Sequence, residues 1–413
     1  GGSIYHTGEW PHDEVDFSGL RVGVIGTGSS AIQAIPVIAG QASSLTVFQR
    51  TPNYSVPAHN EDLELDYVKS VKSSYPDLRA KARARPTGFF FEYNTSPALE
   101  ATAELREQQY EEFWARGGLP FLGAYGDILF NKQANDTIAE FARSKIRDIV
   151  KDPETADLLC PDNVFGCKRL CVDTDYFAAY NQPHVRLVDV SEKPIERFTK
   201  KGIFANDIEY EFDSVVCATG FAAMTGSFDK IQITGRGGLT LKKKWSAGPR
   251  TYLGLSSSGF PNLFMITGPG SPSVLASMIQ AIEQHVDWIA DCIGHMRDVG
   301  ADTIEAKVHD ENDWVDHVNE VSQVSLRSTC SSWYVGANIP GRPRVFMPYI
   351  GGFPIYVDKC NSVMMGGYEG FVMTGSGKPT APPQVRCTER WHVELDLEVI
   401  SPASIAAKQV PMV

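Results

Sequence analysis

The sequence predicts an α/β fold built on a parallel strand–helix–strand unit, and three observations carry that prediction. Arg21-Val22-Gly23-Val24-Ile25 is a short apolar run leading into glycines, the pattern of a strand buried on both faces. From Ser29 to Gly40 the apolar residues Ala31, Ile32, Ile35, Ile38 and Ala39 recur at helical spacing, with Pro36 expected to kink the helix or tighten its early turns. Leu45-Thr46-Val47-Phe48 is a second strand, so the three elements fit a right-handed parallel crossover.

The turn inside this unit is Gly26-Thr27-Gly28-Ser29-Ser30-Ala31, a G-x-G-x-x-A. The first glycine permits a tight turn, the second lets a pyrophosphate reach the backbone, and Ala31 lets the helix pack close to the strand. The helix start then turns free N–H groups and its positive dipole end toward the phosphates. Alone the motif could be a turn with incidental glycines; between a strand and a helix it reads as a Rossmann dinucleotide site. Ser29, Ser30, Gln33 and Thr51 are its further candidate cofactor contacts. Where an NAD site carries an acid at the end of the second strand, this chain has Gln49-Arg50-Thr51. Arg50 can pair bidentately with a 2′-phosphate, so the expected cofactor is NADPH rather than NADH.

A chain of 413 residues exceeds what one core supports, so two or more domains are expected. The formal net charge of -12 argues against nonspecific binding to nucleic acid or an anionic membrane. No apolar run is long enough to span a bilayer, and the first residues lack the pattern of a signal peptide. Eight scattered cysteines without a C-x-x-C pair read as reduced thiols of a cytoplasmic protein. Cys167 and Cys171 are four apart with no His or Cys cluster nearby, so no metal site is expected. Further along, helices are expected from Pro97 through Trp114, from Asp136 to Lys151, and over most of Val274 to Met296. Strands are expected at 185–188, 208–212, 214–217, 263–266 and, marginally, 393–397.

Several motifs in order resemble those of Baeyer–Villiger monooxygenases. Gly2-Ser3-Ile4-Tyr5-His6-Thr7-Gly8-Glu9-Trp10-Pro11 is similar to the family fingerprint F-x-G-x-x-x-H-x-x-x-(W/P), matching at Gly2, His6 and Trp10, with the leading Phe absent. Gln49-Arg50 resembles the family's 2′-phosphate grip. Phe165-Gly166-Cys167-Lys168-Arg169 resembles the segment carrying a second phosphate-binding Lys and the catalytic Arg. Ala218-Thr219-Gly220-Phe221 resembles the motif joining the two nucleotide domains, though Ala222 stands where an acid or small polar residue is commoner. Gly268-Pro269-Gly270-Ser271-Pro272 and Glu283-Gln284-His285 resemble flavin-side segments. Ser332-Trp333-Tyr334 and Gly336-Ala337-Asn338 resemble the loop that closes over NADP. The likeness covers roughly residues 1 to 373.

The resemblance implies NADPH and FAD as cofactors, and a ketone and O2 as substrates, with an ester or lactone as product. It implies Arg169 as the fixed cation beside the anionic oxygen nucleophile, Lys168 beside Arg50 on the 2′-phosphate, and His6 as an organiser of the hinge between domains. Trp333 and Asn338 are implied at the cofactor, and Met278 and Leu275 on the flavin side. Phe89, Phe90, Phe91 and Tyr93 hint at an apolar substrate or are core. The domains expected are a linker (1–14), an NADPH-binding Rossmann domain (15–53 and 156–220), a helical insertion (54–155), the C-terminal part of a second, FAD-type Rossmann-like domain (221–373), and a tail (374–413). No second fingerprint precedes Gly26, which suggests a chain lacking the N-terminal FAD half. Three readings follow. The chain is a piece of a complete monooxygenase, with the FAD half in another chain or removed; or a redox-inactive NADPH-binding or isomerase relative; or a stand-alone NADPH-binding protein using another acceptor.

Overall fold

The computed structural model describes residues 2–377 and Trp391, and divides into two compact units. Unit 1 comprises residues 1–62 and 96–221; unit 2 comprises 63–95 and 222–413.

Unit 1 is a Rossmann-type α/β unit. Its strands are β1 (Ser3–His6), β2 (Arg21–Ile25), β3 (Ser44–Gln49), β4 (Ser55–Pro57), β5 (Cys171–Asp173), β6 (Val185–Asp189), β7 (Arg197–Phe198), β8 (Gly202–Ala205), β9 (Ile208–Glu211) and β10 (Ser214–Cys217). Five of them form an all-parallel sheet in the order β1-β10-β2-β3-β6. The helix α1 (Ser29–Gln41) buries Ala31, Ile32, Ile35, Ile38 and Ala39 against that sheet, and runs through Pro36 as a single helix. The chain leaves β2 toward β3 and β6 on one side, while β10 and β1 fill the other. The turn after β2 therefore sits where the strand order reverses, the place where open α/β sheets bind ligands.

Residues 1–14, expected as a linker, contain the edge strand β1. Its approach depends on Gly2, where an added methyl would lie 2.0 Å from the Asp213 carbonyl oxygen. Ser3 N–H donates to that same oxygen at 3.1 Å. The expected helical insertion is also not one block. Residues 96–155 cluster with the sheet, and 63–95 cluster with unit 2. The helix expected from Pro97 begins instead at Ala103 and runs to Arg116, because the Thr102 hydroxyl caps it by accepting from Leu105 N–H. The next helix, Lys132–Ile149, is capped by Asn131, and a further one, Pro153–Leu159, by Asp152.

Unit 2 is built on the helices Leu65–Ser73, Tyr75–Ala84, Met278–Val299, Val308–Ser322 and Phe353–Met365. Strands β11 (Thr303–Ala306) and β12 (Phe371–Thr374) pair antiparallel. Trp288, Trp314, Tyr356 and Phe371 lie in its core. The strand expected at 263–266 does not form. Asn262 and Thr267, both at positive φ, bend the chain on either side, and within the run only Met265 is buried. The marginal strand at 393–397 lies outside the described residues. No helix among the described residues is long and apolar enough to cross a membrane. Cys160, Cys171, Cys217, Cys292 and Cys360 are free thiols, but Cys167 and Cys330 each take part in a disulfide, which corrects the expectation of uniformly reduced cysteines.

Candidate functional site

In unit 1 the strand register brings the predicted residues to one level. His6 pairs with Cys217, Cys217 with Ile25, and Ile25 with Phe48, so the segments after β1, β10, β2 and β3 leave the sheet side by side. Gly26 takes a φ of +107°, and an added methyl would lie 2.5 Å from the Ala218 carbonyl oxygen. This glycine is required by both the turn and the contact with the Ala218-Thr219-Gly220 segment. Gly28 differs. Its φ is -84°, and an added methyl would meet nothing within 4 Å. The backbone there faces open space, as an approaching phosphate needs. Helix α1 starts at this point with no side-chain cap and no acidic residue in its first turn. Its first N–H groups thus keep their affinity for an anion. Thr27, which is buried, donates its hydroxyl hydrogen to the Thr51 carbonyl at 3.0 Å and ties the turn to the end of β3. Ser30 is partly buried and Gln33 exposed on the same helix.

Arg50 follows β3 with its side chain exposed, while the preceding Gln49 is buried and donates to the Leu158 carbonyl at 2.6 Å. Lys168 is partly buried nearby. Burial draws its ammonium below the usual lysine range, and the positive charge of Arg50 pushes it further in that direction. Two cations held close enough to repel one another form a receptor for a multiply charged anion. Arg169 is exposed where Lys168 is half-buried, so the two neighbours present different faces.

His6 joins β1 to β10 at the same end of the sheet. Gly8 N–H donates to its Nδ1 at 3.1 Å, so Nε2 carries the proton and donates to Thr219 Oγ1 at 3.3 Å. Phe221 stands edge-on to the imidazole, with ring centroids 6.4 Å apart. Trp10 packs on Tyr5 and Phe17. Gly220 takes a φ of +92°, which turns the chain out of β10.

The remaining predicted residues, Met278, Trp333 and Asn338, belong to unit 2. Met278 is the first residue of an uncapped helix and is 37% exposed. Trp333 opens a short 3-10 turn with its ring 4.3 Å from that of Tyr334, and Asn338 is exposed. The Gly268–Pro272 segment is a tightly bonded turn: Gly270 N–H donates to the Met347 carbonyl, and Trp314 Nε1 donates to the Gly270 carbonyl. His285 is fully buried. Its Nδ1 accepts from Thr267 N–H, and its Nε2–H donates to the Tyr356 hydroxyl, which itself donates to the Leu253 carbonyl. Burial pulls its pKa down to about 3, and that of the buried His317 to about 4. Both stay neutral in the fold but take up a proton near pH 6.5 when unfolded. Between those limits the unfolded chain binds more protons, so stability falls as pH falls. Urea midpoints measured from pH 7 to pH 4.5 should show unit 2 losing up to about 2–3 kcal/mol per pH unit below pH 6. A flat profile would show that these histidines protonate in place.

Two contributors escaped the sequence reading. Cys171 sits in β5 with its thiol donating to the Arg169 carbonyl at 3.6 Å, and burial pushes its pKa up to about 11. It accepts from Asn53 Nδ2 at 3.5 Å. Gly8, an unspecified position of the fingerprint, holds the imidazole of His6 and passes close to Phe221. Periodicity carries no signal for either, because each acts through a partner distant in sequence or through its backbone.

No protein-family model matches the chain. A Baeyer–Villiger monooxygenase of Pseudooceanicola batsensis is 38% identical over 374 residues, which are 90% of this chain and 68% of that protein. A steroid monooxygenase, solved in its oxidized form with NADP bound, is 47% identical with a TM-score of 0.85, over 91% of this chain and 71% of that one. A protein designated OTEMO, solved in complex with FAD and NADP, is 34% identical with a TM-score of 0.86, over 90% of this chain and 71% of that one. With such identity across nine-tenths of its length, the chain belongs to the Baeyer–Villiger monooxygenase family.

Proposed function

We propose that this chain takes part in an NADPH- and FAD-dependent Baeyer–Villiger oxidation. A ketone, O2, NADPH and a proton give an ester or lactone, NADP+ and water. The observation that carries the reading is the cation pair, Arg50 and Lys168, beside the open backbone at Gly28 and the uncapped start of α1. These residues fit a 2′-phosphorylated dinucleotide: Gly26–Ser30 would receive the pyrophosphate, and Arg50, Thr51 and Lys168 the 2′-phosphate. Gln33, Ala218, Thr219 and Gly220 would line the same end of the sheet. For unit 2 the family likeness assigns Met278 to the flavin side, and Trp333 and Asn338 to cofactor contacts. When bound, the two cofactors supply the redox chemistry and the protein supplies position and charge. His6 acts as a positioning residue that sets the strand exit through Thr219.

Flavin absorbance of the purified protein, with NADPH and O2 consumption and ester formed from a ketone, tests the reading. One ester per NADPH supports it; NADPH oxidation that never yields ester overturns it. Arg50→Ala should weaken NADPH binding by about 10- to 100-fold and leave NADH binding unchanged. The same change should raise the Lys168 pKa, because it removes a neighbouring positive charge. Retained preference for NADPH would remove Arg50 from the site. No observation on this chain supports a redox-inactive NADPH-binding or isomerase protein, or a separate chain supplying the FAD half.

A further inference from the structure

Trp391 lies beyond β12, outside every motif that the function absorbs, yet it is only 3% exposed. Each part of its indole has a partner within unit 2. The ring N–H donates to Asp287 Oδ2 at 2.8 Å. The Arg83 guanidinium lies 5.0 Å from the ring centroid, a cation–π distance. Phe353 meets the ring edge-on, at 6.2 Å and 77°. Ala276, Ala281 and Val357 complete the apolar wall. Asn361 Nδ2 donates to the Trp391 carbonyl at 3.0 Å, so the backbone is held as well as the side chain. A phenylalanine ring could fill the wall but has no N–H to donate to Asp287.

The seat has a mechanical consequence. Phe353 N–H donates to the Pro86 carbonyl at 2.8 Å, and Ser277 N–H, next to Ala276, donates to the Thr87 carbonyl at 2.7 Å. Gly88, at a φ of +67°, brings the turn so close that an added methyl would lie 3.3 Å from Ser277 Cβ. The two bonds that pin the 86–88 turn thus arise from residues touching, or next to residues touching, the indole. Beyond that turn Phe89 and Phe91 stack at 5.2 Å and Phe90 is exposed.

We propose that unit 2 contains a receptor for an indole side chain, that Trp391 is its ligand in cis, and that occupancy holds the aromatic 86–91 turn in place. This rests on no cofactor assignment. The test uses the full chain carrying Trp391→Ala, hydrogen exchange at the Ser277 and Phe353 amides, and N-acetyl-tryptophanamide as a probe. Exchange at those amides should quicken by at least about tenfold, while Thr303–Ala306 is unchanged. The melting temperature should fall by about 6–10 °C. Millimolar N-acetyl-tryptophanamide should restore it in the variant and do nothing to the parent, whose seat is full. Adding Asp287→Ala to the variant should abolish the rescue. Unchanged exchange at both amides overturns the proposal, as does equal rescue by N-acetyl-phenylalaninamide. Should Trp391→Ala fail to fold, Trp391→Phe keeps a ring and removes the N–H; protection at the two amides should then fall by an intermediate amount, and unaltered protection is again the overturning result.

Discussion

Gly28→Ala should cost the chain its NADPH affinity, by about 100-fold, while its melting temperature stays within about 1 °C of the parent. The backbone at Gly28 is in a conformation any residue adopts, and the added methyl would meet no protein atom within 4 Å. Nothing in the fold asks for glycine there, so the requirement must come from what occupies the space. Gly26→Ala should behave differently. Its φ of +107° and the Ala218 carbonyl 2.5 Å from the added methyl place strain and overlap inside the protein. Strain of this kind costs about 1–3 kcal/mol before the overlap is counted, so a melting decrease of about 6–12 °C should accompany lost binding. Isothermal titration with NADPH and thermal melts of both variants separate the two roles. If Gly28→Ala binds NADPH as the parent does, the nucleotide does not lie on this turn.

This pair also shows how far the sequence carried the reading. The G-x-G-x-x-A between strand and helix, and the Arg after the second strand, are local patterns, and the sheet places them as local patterns predict. Residues 1–14 carry no such local pattern. Ser3-Ile4-Tyr5-His6 has no apolar alternation, and Ile4 is 62% exposed, so nothing local marks an edge strand. The strand exists because Gly2 allows close approach to Asp213 and because β10 offers an open edge 210 or so residues later, a long-range fact. The fingerprint spacing registered these residues through family likeness rather than through physics. In the structure Gly2 sets the approach, His6 bridges to Thr219, and Trp10 packs on Tyr5. The apolar run at 263–266 failed in the opposite direction: its composition suggested a strand, but left-handed residues on both sides deny it the extended length to pair. Trp391 was illegible for a third reason, since its partners Arg83, Asp287 and Phe353 come from three separate helices or their starts.

Arg169→Ala should leave NADPH affinity within about twofold of the parent and lower ester formation in the flavin-loaded enzyme by about 10²–10³-fold, the range for losing one preorganised charge at a reacting centre. The segment that carries Arg169 is held at both ends. Asn135, fully buried, clamps Phe165 through both backbone groups: its Oδ1 accepts from Phe165 N–H at 2.9 Å, and its Nδ2 donates to the Phe165 carbonyl at 3.0 Å. Phe165 also packs on Tyr54 and Phe121. At the other end Cys171 lies in β5, paired with Ser55, and its thiol donates to the Arg169 carbonyl at 3.6 Å. The short stretch between these anchors presents Lys168 inward, beside Arg50, and Arg169 outward. A cation on a segment tied at both ends needs little reorganisation to meet a developing negative charge. Arg169→Lys should recover part of the rate, since it keeps the charge and loses the planar fork. Steady-state ester formation, measured beside NADPH titration, divides the outcomes. Full-rate ester formation by Arg169→Ala would end the catalytic assignment, and a loss confined to NADPH affinity would move Arg169 into the nucleotide grip with Arg50 and Lys168.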